Sequence, residues 1–195
     1  MTYQALDTDG PAKAPVLFTF HGTGGTEAQF HDIGQQLMPG ARVVSPRGGV
    51  SEHGALRYFR RTGEGVYDMA DLAQRRDAMA AFMTTRADGA ESVTGFGYSN
   101  GANILAAVLL HRPEIVDRAV LLHPLIPWQP EPQPGLAGRR VLITAGRRDP
   151  ICPAPNTEQL ARYLRDQGAE VTLHWHPGGH EITRDEIDAA AQFLA

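Results

Sequence analysis

The segment with the clearest chemical meaning is Gly97–Gly101, which reads GYSNG and has the G-x-S-x-G spacing of a nucleophile elbow. An apolar run at 92–96 precedes it, and a helical run at 102–110 follows it. A sharp turn from strand to helix strains the central residue and exposes its side chain. The flanking positions must be small, because the turn packs the strand against the helix. The pattern predicts that Ser99 is a nucleophile.

A serine hydroxyl is a weak nucleophile, so it needs a base, and the base needs an orienting acid. In strand–turn–helix folds with this elbow, the acid and then the histidine follow the serine in the chain. Asp149 and then His180 satisfy that order, and each lies in the loop just past an apolar run. We therefore predict Asp149 as the acid and His180 as the base. Asp117 is a rival acid, but it precedes its apolar run and would lie at the opposite edge of a sheet.

The tetrahedral intermediate of acyl transfer requires backbone N–H donors. Asn100 directly follows the nucleophile, so its N–H is one predicted donor. The glycine-rich loop 21–25, HGTGG, follows the first apolar run, and we predict that Thr23 supplies the second donor. The alternative is a dinucleotide-binding loop, but Glu27 stands where the G-x-G-x-x-G fingerprint needs its last glycine. No cofactor is therefore expected.

Strand and helix signals alternate along the chain, as in proteins with a parallel sheet between helices. Compact apolar runs predict strands at 16–20, 41–44, 92–96, 118–122, 141–145 and 171–175. Amphipathic spacing predicts helices at 26–37, 68–86, 102–110, 156–167 and 183–194. Capping-box pairs open three of these helices, at Thr26/Gln29, Asn156/Gln159 and Thr183/Glu186. The predicted fold class is α/β, with a doubly wound, mostly parallel sheet.

Two stretches interrupt this alternation. The segment 46–66 contains five glycines and no clean period, and 123–138 contains five prolines, through which a helix cannot run. Both follow predicted strands, so both should emerge at the carboxyl edge of the sheet. That edge is where open α/β sheets bind ligands.

Length and composition narrow the class of protein. The 195 residues fit a single domain, 1–195. The net charge of −4 and the absence of a basic run argue against nucleic acid as a partner. No apolar stretch reaches the roughly 18 residues of a membrane span, and the opening residues lack the pattern of a signal peptide. A single cysteine, Cys152, rules out an internal disulfide, so we expect a cytoplasmic location.

Taken together, these motifs resemble one family. The chain is similar to the small α/β-hydrolases of the phospholipase/carboxylesterase group, in their dienelactone-hydrolase-like, quinone-stress-associated bacterial branch. The segments that carry the resemblance are 21–25, 45–48, 59–61, 64–68, 97–103, 122–124, 149–151 and 178–180. The resemblance implies an α/β-hydrolase fold without a cap domain, esterase activity on small carboxylic esters and a possible homodimer. Dienelactone hydrolases proper use a cysteine nucleophile, so Ser99 argues against lactone specificity of that type.

The residues and the resemblance predict a serine carboxylesterase that acts on small-molecule esters through an acyl-enzyme. Thioester or lysophospholipid hydrolysis would use the same triad. A ligand-binding or sensor protein on a hydrolase scaffold is the alternative from another class. The complete triad and both oxyanion loops argue against that alternative.

Residues that could contact a substrate lie in the two interrupting stretches. Arg57, Arg60 and Arg61 stand beside Tyr58 and Phe59 and form either a solvated turn or a wall that meets an anionic group. Trp128 lies in the proline-rich stretch, where it lines the acyl pocket or a subunit contact. We predict Phe59, Arg60, Arg61 and Trp128 as substrate contacts.

Four further residues have both ordinary and functional interpretations. His123 ends a predicted strand, and a structural hydrogen bond explains it better than catalysis does. Cys152 fits a small apolar filler, with a redox-sensitive thiol as the alternative. His174 and His176 alternate on a strand and share a face, but no third metal ligand is evident. We therefore expect surface histidines and no metal.

Overall fold

The computed structural model describes residues 3–11 and 13–195, and its strands and helices follow one another along the chain. The strands are β1 (Ala5–Asp7), β2 (Val16–Phe20), β3 (Arg42–Pro46), β4 (Val50–Glu52), β5 (Ala55–Arg57), β6 (Arg61–Gly63), β7 (Val66–Tyr67), β8 (Val93–Tyr98), β9 (Arg118–Leu122), β10 (Arg140–Gly146) and β11 (Glu170–His176). The helices are α1 (His31–Leu37), α2 (Met69–Arg86), α3 (Asn100–His111), α4 (Ala154–Asp166) and α5 (Arg184–Leu194), with 3-10 turns at Pro113–Ile115 and Pro134–Leu136.

A seven-stranded sheet forms the centre, in the order β1-β3-β2-β8-β9-β10-β11. The six strands from β3 to β11 in this order are parallel, and β1 is added antiparallel at the edge. Because parallel strands end at the same edge, the loops after β2, β8, β9, β10 and β11 all emerge together. The prediction of a mostly parallel sheet is confirmed.

Helices cover both faces of this sheet. Side chains of α2, α3 and α4 pack on one face, and side chains of α1 and α5 pack on the other. Side chains alternate along each strand, so Val16 and Phe18 of β2 join the first layer while Leu17 joins the second. The doubly wound arrangement is therefore confirmed. Among the helices of the described residues, none combines the length and the apolar character that crossing a membrane demands.

Some predicted helix starts were wrong. The predicted helix 26–37 begins only at His31. Gln29 does not close a capping box, because its side-chain oxygen accepts the N–H of Gly22 instead, at 2.9 Å. The predicted helix 156–167 begins two residues earlier, at Ala154. The capping box of Thr183 and Glu186 at the start of α5 is present.

The glycine-rich stretch 46–66 is more regular than its sequence indicates. It contains two antiparallel hairpins, one formed by β4 and β5 and one by β6 and β7. Strands of two or three residues are too short to show the alternation by which strands are recognised. The proline-rich stretch remains irregular apart from the 3-10 turn Pro134–Leu136. Both stretches reach the carboxyl edge of the central sheet.

Candidate active site

Ser99 lies on a strained turn between β8 and α3. Its φ is 51° and its ψ is −117°, a backbone conformation that costs free energy for a residue with a side chain. A Cβ at Gly97 would lie 2.7 Å from the carbonyl oxygen of Gly101, and one at Gly101 would collide with the carbonyl of Phe20. The glycines on both sides of Ser99 are thus required by packing, as the elbow pattern predicts.

Three loops bring the predicted triad residues together at the carboxyl edge. Ser99 Oγ lies 2.8 Å from His180 Nε2, and His180 Nδ1 lies 2.7 Å from Asp149 Oδ2. The Asp149 side chain is fully buried, whereas that of His180 is 17% exposed. Tyr98 donates its hydroxyl to the carbonyl of His180 at 2.7 Å and so holds the histidine loop against β8. This arrangement allows proton transfer from the serine to a histidine oriented by an acid.

Hydrogen bonds keep Asp149 ionised despite its burial. Burial raises the pKa of this carboxyl, but hydrogen bonds from the Cys152 N–H, His180, His123 and the Ile151 N–H together lower the pKa below its usual value. The two backbone donors contact Oδ1, at 2.9 Å from Cys152 and 2.8 Å from Ile151. The acid is therefore an anion throughout the neutral range.

Both predicted oxyanion donors line the cavity that contains Ser99. Asn100 is the first residue of α3, where a backbone N–H has no acceptor within the helix. Its side-chain oxygen accepts the N–H of Tyr58 at 2.7 Å. Thr23 lines the same cavity as Ser99, and its Oγ1 accepts a hydrogen bond from Arg57 Nη1 at 2.7 Å. The placement of both residues is compatible with binding a developing oxyanion.

His21 and Tyr58 fix the loop that carries Thr23, and sequence analysis gave neither of them a role. His21 Nδ1 donates to the carbonyl of Gly22 at 2.7 Å, and Nε2 accepts the N–H of Gly48 at 2.9 Å. Burial lowers the pKa of His21, which favours the neutral ring with one donor and one acceptor that these contacts require. The Tyr58 hydroxyl accepts the His21 N–H at 3.1 Å and donates to the carbonyl of Pro46 at 2.8 Å.

A half-open cavity of about 260 Å³ leads to Ser99. Its walls come from the loop after β2, the β5–β7 region and the loops after β8, β9 and β10. The residues that line it include Arg57, Arg61, Glu64, Tyr67 and Cys152. Arg61 was a predicted substrate contact, and it does line this cavity.

Three other predicted substrate contacts lie elsewhere. Phe59 is fully buried and packs edge-on against Tyr67, with ring centroids 4.8 Å apart. Arg60 points away from the cavity and pairs with Asp71 at 3.2 Å. Trp128 packs behind Tyr67 and borders a different groove. Arg61 is the first residue of the β6–β7 hairpin, whereas these three residues lie outside it.

Arg57, Arg61, Glu52 and Glu64 form one side of the cavity mouth, and we call them the arginine wall. Arg57 is almost fully buried and lies 3.3 Å from Glu52. Arg61 Nε contacts the same carboxylate at 3.1 Å, and Arg61 Nη1 contacts Glu64. Burial lowers the pKa of Arg57, but a guanidinium remains charged in proteins. Two cations thus face the cavity, each already paired with a carboxylate.

Comparison with known proteins agrees with this geometry. The model of the dienelactone hydrolase family matches residues 2–192. The chain belongs to the dienelactone hydrolase family. It is 39% identical to a protein of Bacillus subtilis (strain 168) named "Putative hydrolase MhqD", over 91% of each chain. The family match and this relative confirm the resemblance to a dienelactone-hydrolase-like α/β-hydrolase that the motifs indicate.

Two solved structures resemble this member of the family closely. The protein Atu2452 of Agrobacterium tumefaciens str. C58 is 53% identical and has a TM-score of 0.93, with 98% of this chain and 95% of that chain covered. The Bacillus cereus carboxylesterase is 36% identical and has a TM-score of 0.91, with 98% and 93% covered. The chain therefore has the α/β-hydrolase fold and is an esterase-type enzyme.

Behind the triad, this dienelactone hydrolase family member has a second buried cluster. We call His123, Asp149, Glu186 and His176 the rear network. His123 Nδ1 lies 2.9 Å from Asp149 Oδ2, and His123 Nε2 lies 2.9 Å from Glu186 Oε1. Burial raises the pKa of Glu186, but hydrogen bonds from His123, Thr144 and Thr183 lower that pKa to about 2. Glu186 is not recognisable as a site residue from the sequence, where its visible role is to cap α5.

The two strand histidines have different surroundings. His176 is buried, its Nδ1 accepts the Gly178 N–H at 3.1 Å, and its Nε2 lies 3.5 Å from Glu186 Oε2. His174 is half-buried and lies outside the rear network. The prediction of surface histidines is wrong for His176. His123, His176 and Glu186 each have one potential ligand atom, and these atoms lie within 4.8 Å of one another. The distance of 2.9 Å between His123 Nε2 and Glu186 Oε1 is that of a direct ion pair.

Cys152 lines the cavity but is buried. Its Sγ–H donates to the carbonyl of His123 at 3.2 Å. Burial raises the pKa of this thiol well above its usual value, so the reactive thiolate form is disfavoured. These contacts favour the interpretation of Cys152 as a small filler over that of a redox-sensitive thiol.

Proposed function

We propose that this protein is a serine carboxylesterase that hydrolyses small carboxylic esters through an acyl-enzyme. The observation that carries the proposal is the continuous chain of contacts from Ser99 Oγ to His180, at 2.8 Å, and from His180 to Asp149, at 2.7 Å. This chain opens into a cavity, and its serine is held in the strained conformation of an elbow. Its membership of a hydrolase family supports the same reaction class.

In the first half-reaction, Ser99 Oγ attacks the ester carbonyl carbon while His180 Nε2 accepts the hydroxyl proton. Asp149 accepts the Nδ1–H of His180, so the Nε2 lone pair points at the serine. The N–H groups of Asn100 and Thr23 stabilise the oxyanion. The intermediate then collapses, and the departing alcohol takes the proton from His180.

In the second half-reaction, a water molecule attacks the acyl group on Ser99. His180 Nε2 accepts a proton from this water and then returns it to the serine oxygen as the acid leaves. The partial exposure of His180 supports this step, because the histidine lies beside the serine and lines the half-open cavity. Ser99 and His180 account for each proton transfer on the protein, while Asp149 orients the base and the two oxyanion donors stabilise the developing charge.

The size of the cavity supports small acyl groups. Its volume of about 260 Å³ is just below the usual range for ligand pockets, which is roughly 300–1,000 Å³. The segment between β9 and β10 runs only from residue 123 to 139, and its regular structure is the 3-10 turn Pro134–Leu136. That segment is too short for a lid domain, so long acyl chains would remain exposed to solvent.

Turnover of p-nitrophenyl esters across a series of acyl lengths tests the proposal. We expect kcat/KM to be highest for the short acyl groups, and a serine-reactive phosphonate to label Ser99, as located by peptide mass spectrometry. Matched thioesters and a lysophospholipid, measured beside the esters, test the alternatives that use the same triad. A single burst of product without turnover would instead favour a sensor. Labelling of another residue would overturn the assignment of the nucleophile.

A further inference from the structure

His123 is a buried histidine held in an unfavourable backbone conformation. It directly follows β9, its φ is 50°, and its side chain has no solvent exposure. Its N–H donates to the carbonyl of Thr144 at 2.9 Å. A side chain in this region of φ is strained and persists only where its surroundings demand it. The contacts of the His123 ring show which neighbours hold the residue in this conformation.

Both ring nitrogens of His123 face carboxylate oxygens. Nδ1 lies 2.9 Å from Asp149 Oδ2, Nε2 lies 2.9 Å from Glu186 Oε1, and both carboxylates are fully buried. A neutral imidazole has a single N–H, so it would leave a lone pair facing a carboxylate oxygen at that distance. The imidazolium form donates a hydrogen bond to Asp149 and makes an ion pair with Glu186, so it places a positive charge between the two carboxylates. Burial lowers the pKa of His123, but hydrogen bonds to Glu186 and Asp149 raise it above its usual value.

One carboxylate oxygen of Asp149, Oδ2, accepts hydrogen bonds from two histidines. Oδ2 contacts His123 at 2.9 Å and His180 at 2.7 Å, while Oδ1 accepts the N–H groups of Ile151 and Cys152. The rings of His123 and His180 lie 5.1 Å apart, centroid to centroid. A cation at this distance opposes protonation of the second ring.

We propose that His123 is a positioning residue of the triad, held as an imidazolium between Glu186 and Asp149. It fixes the orientation of the Asp149 carboxylate and offsets part of its negative charge. The positive charge of His123, with the two ring centroids 5.1 Å apart, disfavours a second positive charge on His180. The proposal deepens the proposed function and rests on it, because it concerns the base of that same reaction.

The other titratable groups around these two rings do not change the expected effect of the His123 charge on His180. Tyr98 packs against both His123 and His180 from β8, and burial raises its pKa to about 12, so it is neutral. His176 approaches from β11 with an Nδ1 that accepts an N–H and therefore carries no proton. Glu181 follows His180 in the chain, and its carboxylate accepts the N–H of Gly179 at the surface. The charges closest to His123 are thus those of Asp149 and Glu186.

The first test is the pH dependence of kcat/KM for p-nitrophenyl acetate in His123→Asn. Asparagine tolerates a positive φ better than most residues, and it is neutral. We expect the midpoint of the acidic limb to rise by about one pH unit, because the cation is lost. kcat on the plateau should also fall while KM changes little, since the acid is less well oriented. His176→Asn is the matched control, because it removes a buried histidine that faces Glu186 and leaves Asp149 untouched.

A midpoint that stays within about 0.2 pH units of the wild-type value in His123→Asn, or an equal rise in His176→Asn, would overturn the proposal. A second measurement needs neither turnover nor the His123 variant to fold. Nitrogen NMR of the histidine rings in Ser99→Ala should show both nitrogens of His123 protonated across the neutral range. A neutral His123 ring would contradict the proposal. Absence of esterase activity in wild-type protein would count against the proposed function alone, because the NMR result stands without it.

Discussion

Two clusters of paired charges border Ser99, and they differ in their exposure to water. The rear network lies behind Asp149, where the side chains of Asp149, His123 and Glu186 have no solvent exposure. The arginine wall lies in front, where Glu64 is 58% exposed. Charge pairs are stronger and more tightly oriented in a buried site than at a surface, where solvent screens them. The two clusters should therefore influence different steps of the reaction.

Removing one partner has a different consequence in each cluster. In the rear network, a carboxylate left without its cation has no access to water, so the loss is costly. In the arginine wall, water can replace a missing partner at the cavity mouth. We expect changes at Asp149 and His123 in the rear network to alter kcat and its pH dependence, and a change at Glu186 to alter the stability. Changes in the arginine wall should alter the choice of substrate.

The largest effect is expected when Ser99, which both clusters border, loses its hydroxyl group. Ser99→Ala should lower kcat by roughly a millionfold, as loss of the nucleophile does in other serine hydrolases. The elbow should still form, because alanine fits the space of serine and the flanking glycines are unchanged. Thermal unfolding monitored by circular dichroism should show the variant folded. Retention of more than a few per cent of wild-type activity would show that another residue is the nucleophile.

Asp149→Asn separates the acid from the rest of the rear network. kcat should fall by around 10⁴-fold, because an amide favours the wrong tautomer of the base. The effect should appear in kcat, with KM nearly constant for neutral esters.

Asp117→Asn is the control for this variant. Asp117 accepts the N–H of Val93 at 2.8 Å and pairs with Arg139 at 2.9 Å, at the opposite edge of the sheet. Its replacement should leave kcat unchanged and alter stability slightly. A larger loss of kcat in Asp117→Asn than in Asp149→Asn would move the acid to the earlier position and break the chain-order argument.

Glu186→Gln tests how firmly the rear network holds the fold. The pKa of Glu186 is lowered from 4.5 to about 2 in the folded state. A lowered pKa stabilises the protein above the unfolded value, and that stability is lost as the pH falls from about 4.5 towards 2. The shift corresponds to about 3 kcal/mol. Urea unfolding at several pH values should therefore show a flatter acidic limb in the variant.

Glutamine can still serve in the capping box of α5, so the change isolates the charge from the helix start. Glu158→Gln, at an exposed position of α4, is the matched control and should leave the pH dependence unaltered. Identical acidic limbs in wild-type protein and Glu186→Gln would show that the rear network contributes no pH-dependent stability.

The triad positions could be predicted from the sequence, and the rear network only in part. Ser99, Asp149 and His180 each follow an apolar run, and parallel strands bring such positions to one edge whatever the details of packing. A structural hydrogen bond was expected for His123, but its partner Glu186 lies on α5, far away in the chain. That contact depends on how a helix docks on the sheet, which local periodicity does not encode.

The sequence also does not predict which arginine at the arginine wall faces the cavity. Arg60 and Arg61 were equivalent in the sequence, yet Arg61 enters the cavity while Arg60 pairs with Asp71 outside it. Arg61 begins the three-residue strand β6 and Arg60 lies just before it, so which of the two faces the cavity depends on where that strand begins and on its register. Short strands carry too few side chains for a pattern to fix that register.

The smallest expected effect comes from Arg61→Gln. A guanidinium has five N–H donors, and Glu52 and Glu64 contact Arg61 through Nε and Nη1. A substrate carboxylate could therefore share this cation. We expect KM for an ester with a free carboxylate, such as monoethyl succinate, to rise about tenfold, as for loss of one charged hydrogen bond. The neutral ester ethyl butyrate should be nearly unaffected, and kcat should be unchanged for both.

Arg60→Gln is the matched control, because it removes a neighbouring arginine that points away from the cavity. Arg57 is unsuitable, since it donates to Thr23 and its loss would disturb the oxyanion loop. Equal rises in KM for both esters in Arg61→Gln would identify a structural hairpin rather than a recognition site. A fall in KM for the anionic ester would show that Glu52 and Glu64 outweigh the cations. A selective rise would show that the exposed cluster chooses the substrate while the buried cluster serves the chemistry.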